Sequence, residues 1–382
     1  MSDARTLRLE SAAGRVLAGE VISGFDYPLF DNSAMDGFAV RCEDVEQVPV
    51  SLEVVGVSSA GHPFRGRIES GQAARILTGA PMVDGADCVV PVEQIQQDPN
   101  DAGRVTVLVD PGEGAHVRRR GEVVRAGSPV LAGGTQLNPG HLGFLSSLGV
   151  ENVEVVPAPR VVILSTGDEL VGPGSVPGPG QIFESNTTLL SSMLGGMGCD
   201  VSVVHALDDI DSIAAELQRL GTQADVIIST GGVSMGGEYD ALRNAVESFD
   251  VDVVQVAIKP AKPFAFGRVG DALMFGLPGN PASVVVSFEL FVRPALRKMA
   301  ALEPAVVPTF KGVLGADVSR VDDGKTHFIP MRRDADGRWT RTGTHGSHAV
   351  SPFADASAMM AFEPTRGLIE EGSEVELIPL WT

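Results

Sequence analysis

Cysteine and aromatic residues are both scarce in this chain of 382 residues: cysteine occurs three times, tryptophan twice and tyrosine twice. Cys42, Cys88 and Cys199 stand far apart with no CxxC pair, which argues against a zinc ribbon or a disulfide framework and fits a reducing compartment. Basic residues are outnumbered, 29 Lys and Arg against 49 Asp and Glu, for a net charge of -20. That balance speaks against non-specific nucleic-acid binding and against an anionic membrane surface. It also makes any local cluster of lysine or arginine informative. No apolar run approaches the ~20 residues that a membrane span requires. The opening MSDARTLRLESAAG is charged and lacks the apolar core of a secretion signal. The seven histidines include no HExxH, and His345 and His348 lie three apart in a Gly/Ser-rich stretch that points to no metal. A soluble, cytoplasmic protein is expected.

Glycine and proline, by contrast, are plentiful at 45 and 25, and 43% of residues are hydrophobic. The chain can therefore build two to four cored domains. Residues 6–19 place Leu9, Ala12, Ala13, Val16 and Leu17 on one face of a helix. Short alternating strands follow near residue 50 and at 75–77, 88–95 and 104–109, punctuated by Gly and Pro as in a small β domain. Helical character returns at 139–149, beside the first helix, so the β region reads as an insertion. From Arg160 the pattern becomes strand, loop, helix, repeated. Apolar strands at 161–164, 201–207 and 225–229 alternate with helices, the first with Ser185 or Asn186 as its cap. A long helix opens at Pro281 and runs to about Ala300. The expected fold is α/β and multi-domain: a central doubly wound, mostly parallel sheet with an N-terminal α+β region, an inserted small β domain and a C-terminal β-barrel. The expected bounds are 1–40 plus 120–155, 41–119, 156–302 and 303–382.

In such a sheet ligands sit at the carboxyl ends of the strands. There, Thr230-Gly231-Gly232-Val233-Ser234-Met235-Gly236-Gly237 joins a strand to a helix. Its glycines let backbone N–H groups approach an anion, helped by the helix N-terminus. A plain tight turn is the bland alternative, but four glycines and two hydroxyls in eight residues favour a ligand. The loop is neither a Walker A motif nor a GxGxxG fingerprint. Ser165-Thr166-Gly167-Asp168-Glu169 also follows a strand. Its hydroxyls suit phosphate or ribose, and Asp168 or Glu169 suits a divalent cation; an N-cap with a solvated carboxylate is equally reasonable. Lys259-Pro260-Ala261-Lys262-Pro263 sets two lysines three apart between prolines, a fixed cationic notch in an acidic protein. Gly276-Leu277-Pro278-Gly279-Asn280-Pro281 opens a helix at a proline, again ready for an anion. Asp36, in Asn32-Ser33-Ala34-Met35-Asp36-Gly37, and Thr78-Gly79-Ala80-Pro81 read alone as structural turns.

Together, FDNSAMDGFAVR, RILTGAP, RRRGE, STGDEL, TGGVSMG, IKPAKPFAFG, GLPGNP and THGSH, in this order along nearly the whole chain, resemble the molybdopterin molybdenumtransferase family, which includes bacterial MoeA and the E domain of gephyrin. The resemblance implies an elongated homodimer of four-domain subunits with the active cleft between two subunits. It implies adenylylated molybdopterin and molybdate as substrates, AMP release, and Mg2+ or another divalent cation assisting. The molybdopterin adenylyltransferase that makes the substrate is an implied partner. Carried over by position, Asp36, Glu169 and Asp208 are the essential carboxylates, with Asp36 and Glu169 at the metal. Thr78 and Arg118 lie on the neighbouring subunit's side. Gly231, Gly232, Ser234, Pro278 and Asn280 shape the pterin-phosphate pocket, while Ser234, Lys259, Lys262, Pro263 and Ser347 surround molybdate. Fixed ammonium and hydroxyl donors suit a tetrahedral dianion.

Two positions depart from the family pattern. Val123 follows RRRGE where Asp is usual, and Phe328-Ile329-Pro330 places proline where an arginine usually completes the molybdate site. Proline cannot replace a planar guanidinium; Arg332, Arg333 or Lys325 are the candidate substitutes. The loop after TGGVSMG is one residue longer than usual, so Glu238 and Asp240 compete for one acidic role. These departures keep an alternative open: a gephyrin-like dimeric scaffold that binds a partner protein through its C-terminal domain.

Overall fold

The computed structural model describes residues 4–98, 101–233, 241–320, 322–343, 349–365 and 367–381. Its contacts fall into two units, Arg5–Val155 and Met1–Ala4 with Val156–Thr382.

In the first unit the helix expected over 6–19 is absent. Arg5–Arg8 is a strand paired antiparallel with Asn152–Val155, followed by a single 3-10 turn, Leu9–Ser11. Gly14 takes a left-handed φ of 74° that ends any helical continuation. The apolar residues still go inside: Leu9, Ala12, Val16 and Leu17 are buried, though Ala13 is not. Burial follows apolarity here, and the helical spacing is coincidental. The helix expected at 139–149 is present as Pro139–Ser147. Asn138 Oδ1 accepts from the His141 amide at 2.9 Å, and the His141 ring accepts from the Asn138 amide. The inserted β region is a six-stranded sheet in the order Cys88–Pro91, Gly37–Val40, Gln72–Ile76, Val50–Ser58, Asp101–Val107, Ile95–Asp98. Strand Gly37–Val40 belongs to it, so the sheet takes in residues ahead of 41. Gly37 is required by crowding, since a Cβ there would lie 2.1 Å from the Val90 carbonyl oxygen. Gly37→Ala should therefore lower stability by about 2 kcal/mol or more; an unchanged urea midpoint would contradict this packing.

The second unit is built on a six-stranded sheet ordered Asp200–Ala206, Arg160–Thr166, Val226–Thr230, Ala272–Leu277, Pro263–Val269, Asp250–Gln255. The first four strands are parallel and the last two antiparallel to their neighbours. Separate cores cover its two faces, one holding Ile213, Leu217 and Leu242 and the other Leu190, Val284 and Phe288. This double burial explains why the strands at 161–164 and 225–229 are continuous apolar runs. The helix from Pro281 runs as Pro281–Ser287, a π turn at Phe288–Val292, and Arg293–Met299. Helix Asn186–Gly196 is not capped by the side chain of Ser185 or Asn186; the Glu184 carboxylate accepts from the Thr187 amide at 3.0 Å instead. The C-terminal strands Phe310–Val313, Thr326–Arg333, Trp339–Arg341, Ala358–Phe362 and Glu374–Pro379 form one sheet. A bridge between Leu314 and Trp339 joins its two ends into a small barrel. Among the described residues no helix is long and apolar enough to cross a membrane.

Candidate functional site

The parallel register brings three loops side by side. Ser165 lies opposite Thr230, and Thr230 opposite Leu277, so the strands end together. From these ends emerge Gly167-Asp168-Glu169, Gly231-Gly232 and Pro278-Gly279-Asn280. Gly231 and Gly232 hold φ of 85° and 69°, the left-handed region open to glycine, and the Gly231 amide donates to the Leu277 carbonyl at 3.1 Å, tying this loop to the neighbouring one. A cavity of about 630 Å³ lies against these loops. Thr166, Glu169, Gly231, Gly232, Lys259, Lys262, Pro263, Pro278 and Asn280 all line it, as read from the sequence. Ser165 and Gly167 line a neighbouring cavity of about 420 Å³, which shares Thr166. Ser234 and Ser347, and with them Glu238 and Asp240, lie outside the described residues.

The lysine motif is placed by a loop at the edge of this sheet. Residues 256–262 leave between strands Asp250–Gln255 and Pro263–Val269, closed by the Val256 amide donating to the Lys262 carbonyl. Ala261 is buried with φ of 86°, which turns the chain so that both lysines face the cavity wall. The notch is not free cationic charge at both positions. Lys259 extends the barrel sheet beside Thr326 and His327, and its Nζ lies 3.3 Å from Asp323. Asp323 also bonds the His327 ring at 2.9 Å. Bonding to His327 first, then to Lys259, lowers the Asp323 carboxyl to about 2. Among the described residues Lys262 makes no ion pair. Since Asp323 binds its proton more weakly in the native state, its contribution is present above the ordinary 3.8 and lost as pH falls through about 2. Melting curves of Asp323→Asn and the parent should therefore differ at pH 7 and converge near pH 2; a difference that persists at low pH would contradict the bonding.

Of the three candidate substitutes for the missing arginine, Lys325 lines the cavity. Arg333 lies over the Trp339 ring and donates to the Gly337 carbonyl, and Arg332 stands next to it toward the far end of the strand. Neither lines the cavity. Pro330 sits within the strand, its carbonyl accepting from the Thr342 amide and hydroxyl.

Asp208 lines neither cavity, yet it belongs to the same acidic group. Burial, then the charges of Asp168 and Glu169, push its carboxyl up. Glu169 folds back over Gly167, where a Cβ would meet its Oε2 at 2.8 Å. Sequence reasoning missed several polar groups on these walls. Asn186 is buried and donates to the Gly279 carbonyl at 2.7 Å, while its Oδ1 has no partner. Thr187 Oγ1, on the smaller cavity, is likewise buried and unpartnered, as are Ser165 Oγ, a residue expected from the sequence, and Ser229 Oγ, which lines neither cavity. Such atoms cost free energy unless something bonds them. Asn186 was legible only as a helix cap.

Asp36, Thr78 and Arg118 belong to the first unit and gather around one turn. Asp36 Oδ1 accepts from both the Thr78 amide and hydroxyl, each at 2.7 Å. These bonds hold the carboxyl below its ordinary value. Arg118 pairs with Asn32 on the same turn and is exposed. The turn therefore holds Asp36 as an ionised carboxylate, tied to the Thr78 turn.

Comparisons with known proteins agree along the whole chain. Residues 2–149 match the MoeA N-terminal region (domain I and II), 162–298 the probable molybdopterin binding domain, and 311–380 the MoeA C-terminal region (domain IV). The molybdopterin molybdenumtransferase of Haemophilus influenzae is 36% identical over 98% of this chain and 93% of its own. Molybdopterin molybdenumtransferase 2 of Mycobacterium tuberculosis is 38% identical over 93% of this chain and 90% of its own. A crystal structure of the molybdopterin biosynthesis MoeA protein of Pyrococcus horikoshii is similar, with a TM-score of 0.81 at 27% identity, covering 99% of this chain and 94% of that one.

Proposed function

Because the chain belongs to the molybdopterin molybdenumtransferase family, we propose that its loop-lined cavity binds adenylylated molybdopterin and molybdate and that molybdenum is placed on the pterin there, with release of AMP. The observation that carries this is the convergence of three glycine loops and both motif lysines on one cavity. The Gly232 and Pro278-Gly279-Asn280 backbones would hold the phosphate, with Asn186 and Thr230 beside it. Lys259, Lys262 and Lys325 would hold the molybdate dianion, as fixed charges that need no rearrangement. Lys325 then supplies the charge that Pro330 cannot. The relatives above are transferases by name, which favours insertion over the scaffold alternative. Product made by the purified protein should activate a molybdenum-free molybdoenzyme, and failure to do so would overturn the reading.

The donor set also suits Mg2+ or a similar cation. Burial, and then the charges of Asp168 and Glu169, raise the Asp208 carboxyl, and a divalent ion would relieve the crowding of the three. Glu169 and Asp208 would hold it, and when bound it would neutralise the pyrophosphate. We place Asp36, Thr78 and Arg118 on the facing side of the cleft, contributed by a second copy. An exposed apolar run supports such a dimer: Phe25, Leu29, Phe30 and Val123 are 56%, 57%, 44% and 59% exposed in the first unit. Val123, where the family pattern has an acid, extends this run. Co-expressed Asp36→Asn and Lys262→Ala chains should partly rescue each other; confirmed heterodimers without rescue would count against a shared cleft. A cytoplasmic location and contact with the adenylyltransferase that supplies the substrate complete the proposal.

A further inference from the structure

We propose that Cys42, Asp87 and Cys88, in the small β sheet of the first unit, form a binding site for one zinc-class divalent cation. The sequence hides it, because the two cysteines share no short motif. Antiparallel pairing sets Val40 opposite Cys88, and the 3-10 turn Cys42–Asp44 then curls the chain back toward that strand. One donor atom from each of Cys42, Asp87 and Cys88 comes within 4.8 Å of the other two. An ion with sulfur ligands at about 2.3 Å holds tetrahedral donors about 3.7 Å apart, so small side-chain adjustments close the site.

The surroundings fit a cation as well. Cys88 is fully buried, Cys42 partly so, and Asp87 is exposed, which leaves a route in from solvent on the carboxylate side. Among the described residues no basic group pairs with Asp87. Its Oδ1 accepts from the Cys42 amide at 2.7 Å, which fixes the carboxylate beside the thiol. The Gly114 amide donates to the Cys42 sulfur, as an outer-shell donor does to a metal thiolate. The Gly112 carbonyl, 3.1 Å from the same sulfur, or a water can complete the coordination. Burial first pushes both thiols up, with Cys42 raising Cys88 further and the Asp87 charge adding to each, so cation binding must displace their protons. Packing alone would be served by two small apolar residues in the core of Phe38, Val90 and Val105. The Asp87 carboxylate satisfies the first amide of the Cys42–Asp44 turn and leaves its second oxygen for a cation. The site also staples the strand that begins directly after Asp36, so its occupancy bears on the rigidity of that turn.

The test is Zn2+ titration of the reduced full-length chain, followed by bound metal after gel filtration, melting temperature, and thiolate-to-metal absorption with Co2+ as a probe. One equivalent should bind, with a higher melting temperature and a charge-transfer band. Cys42→Ala should weaken binding at least tenfold, as should Cys88→Ala if it folds. Asp87→Asn should weaken it less, and Cys199→Ala should leave it unchanged. No binding by the reduced chain, binding that survives Cys42→Ala, or loss in Cys199→Ala would each overturn the site. So would a Cys42–Cys88 disulfide in oxidised protein together with no metal uptake after reduction.

Discussion

Replacing Lys262 with alanine should raise the molybdate concentration for half-maximal AMP release by about 10- to 100-fold, the loss of one charge-assisted contact to a dianion. Binding of adenylylated molybdopterin should change by less than about threefold if, as proposed, its phosphate rests on loop backbone and Lys262 reaches only the metal oxyanion. The asymmetry between the two lysines sharpens the expectation. Lys259 already shares its charge with Asp323, whereas Lys262 lines the cavity with no ion pair among the described residues. Lys259→Ala should therefore cost less than Lys262→Ala. Steady-state kinetics at varied molybdate decide the matter. Equal loss of molybdate and adenylate affinity would remove Lys262 from the oxyanion site.

Glu169→Gln should lower the rate of AMP release by about 10²- to 10³-fold, the scale on which a positioned electrostatic group acts at a reacting centre. Glutamine keeps the shape of the side chain that packs over Gly167, so the fold and the binding of substrate should survive. What it removes is one of the two charges that push Asp208 up and would hold the cation. A second readout follows from the same crowding. The native state holds the Asp208 proton more tightly than the unfolded chain, so stability falls as pH rises from 3.8 to the raised native value. Both Glu169→Gln and saturating Mg2+ should flatten that slope. Normal AMP release by the variant would sink the assignment, and an unaltered slope with Mg2+ would place the cation elsewhere.

The parallel sheet was legible because both of its faces are buried. Continuous apolar runs at 161–164 and 225–229 are the direct mark of that burial, and the loops at their ends meet at the cavity as expected for the carboxyl ends of a parallel sheet. Residues 6–19 show the limit of the same reasoning. Most of their apolar positions are buried, yet pairing of Arg5–Arg8 with Asn152–Val155 and bonds from Gly14 and Leu17 to Leu137 and Thr135 take the place of helical ones. Nothing local announces a partner so far along the chain. In the site, the glycines and lysines could be read from residue type, and Lys325 was one of three candidates that only the fold separates, while Asn186 could not be read. Asn186 looks like a helix cap, and only the approach of the Gly279 loop gives it another role. Asp36 is similar: its pair of bonds from Thr78 joins two turns that each read as ordinary.

The most direct test of the central claim is to incubate the purified protein with adenylylated molybdopterin, Mg2+ and molybdate, and to follow AMP release and protein-bound molybdenum together. The account predicts AMP release that requires molybdate, continues over several turnovers, and matches molybdenum bound to the pterin, with Lys325 standing in for the arginine absent at Pro330. Tight binding of the adenylate with neither AMP release nor molybdenum uptake would contradict it.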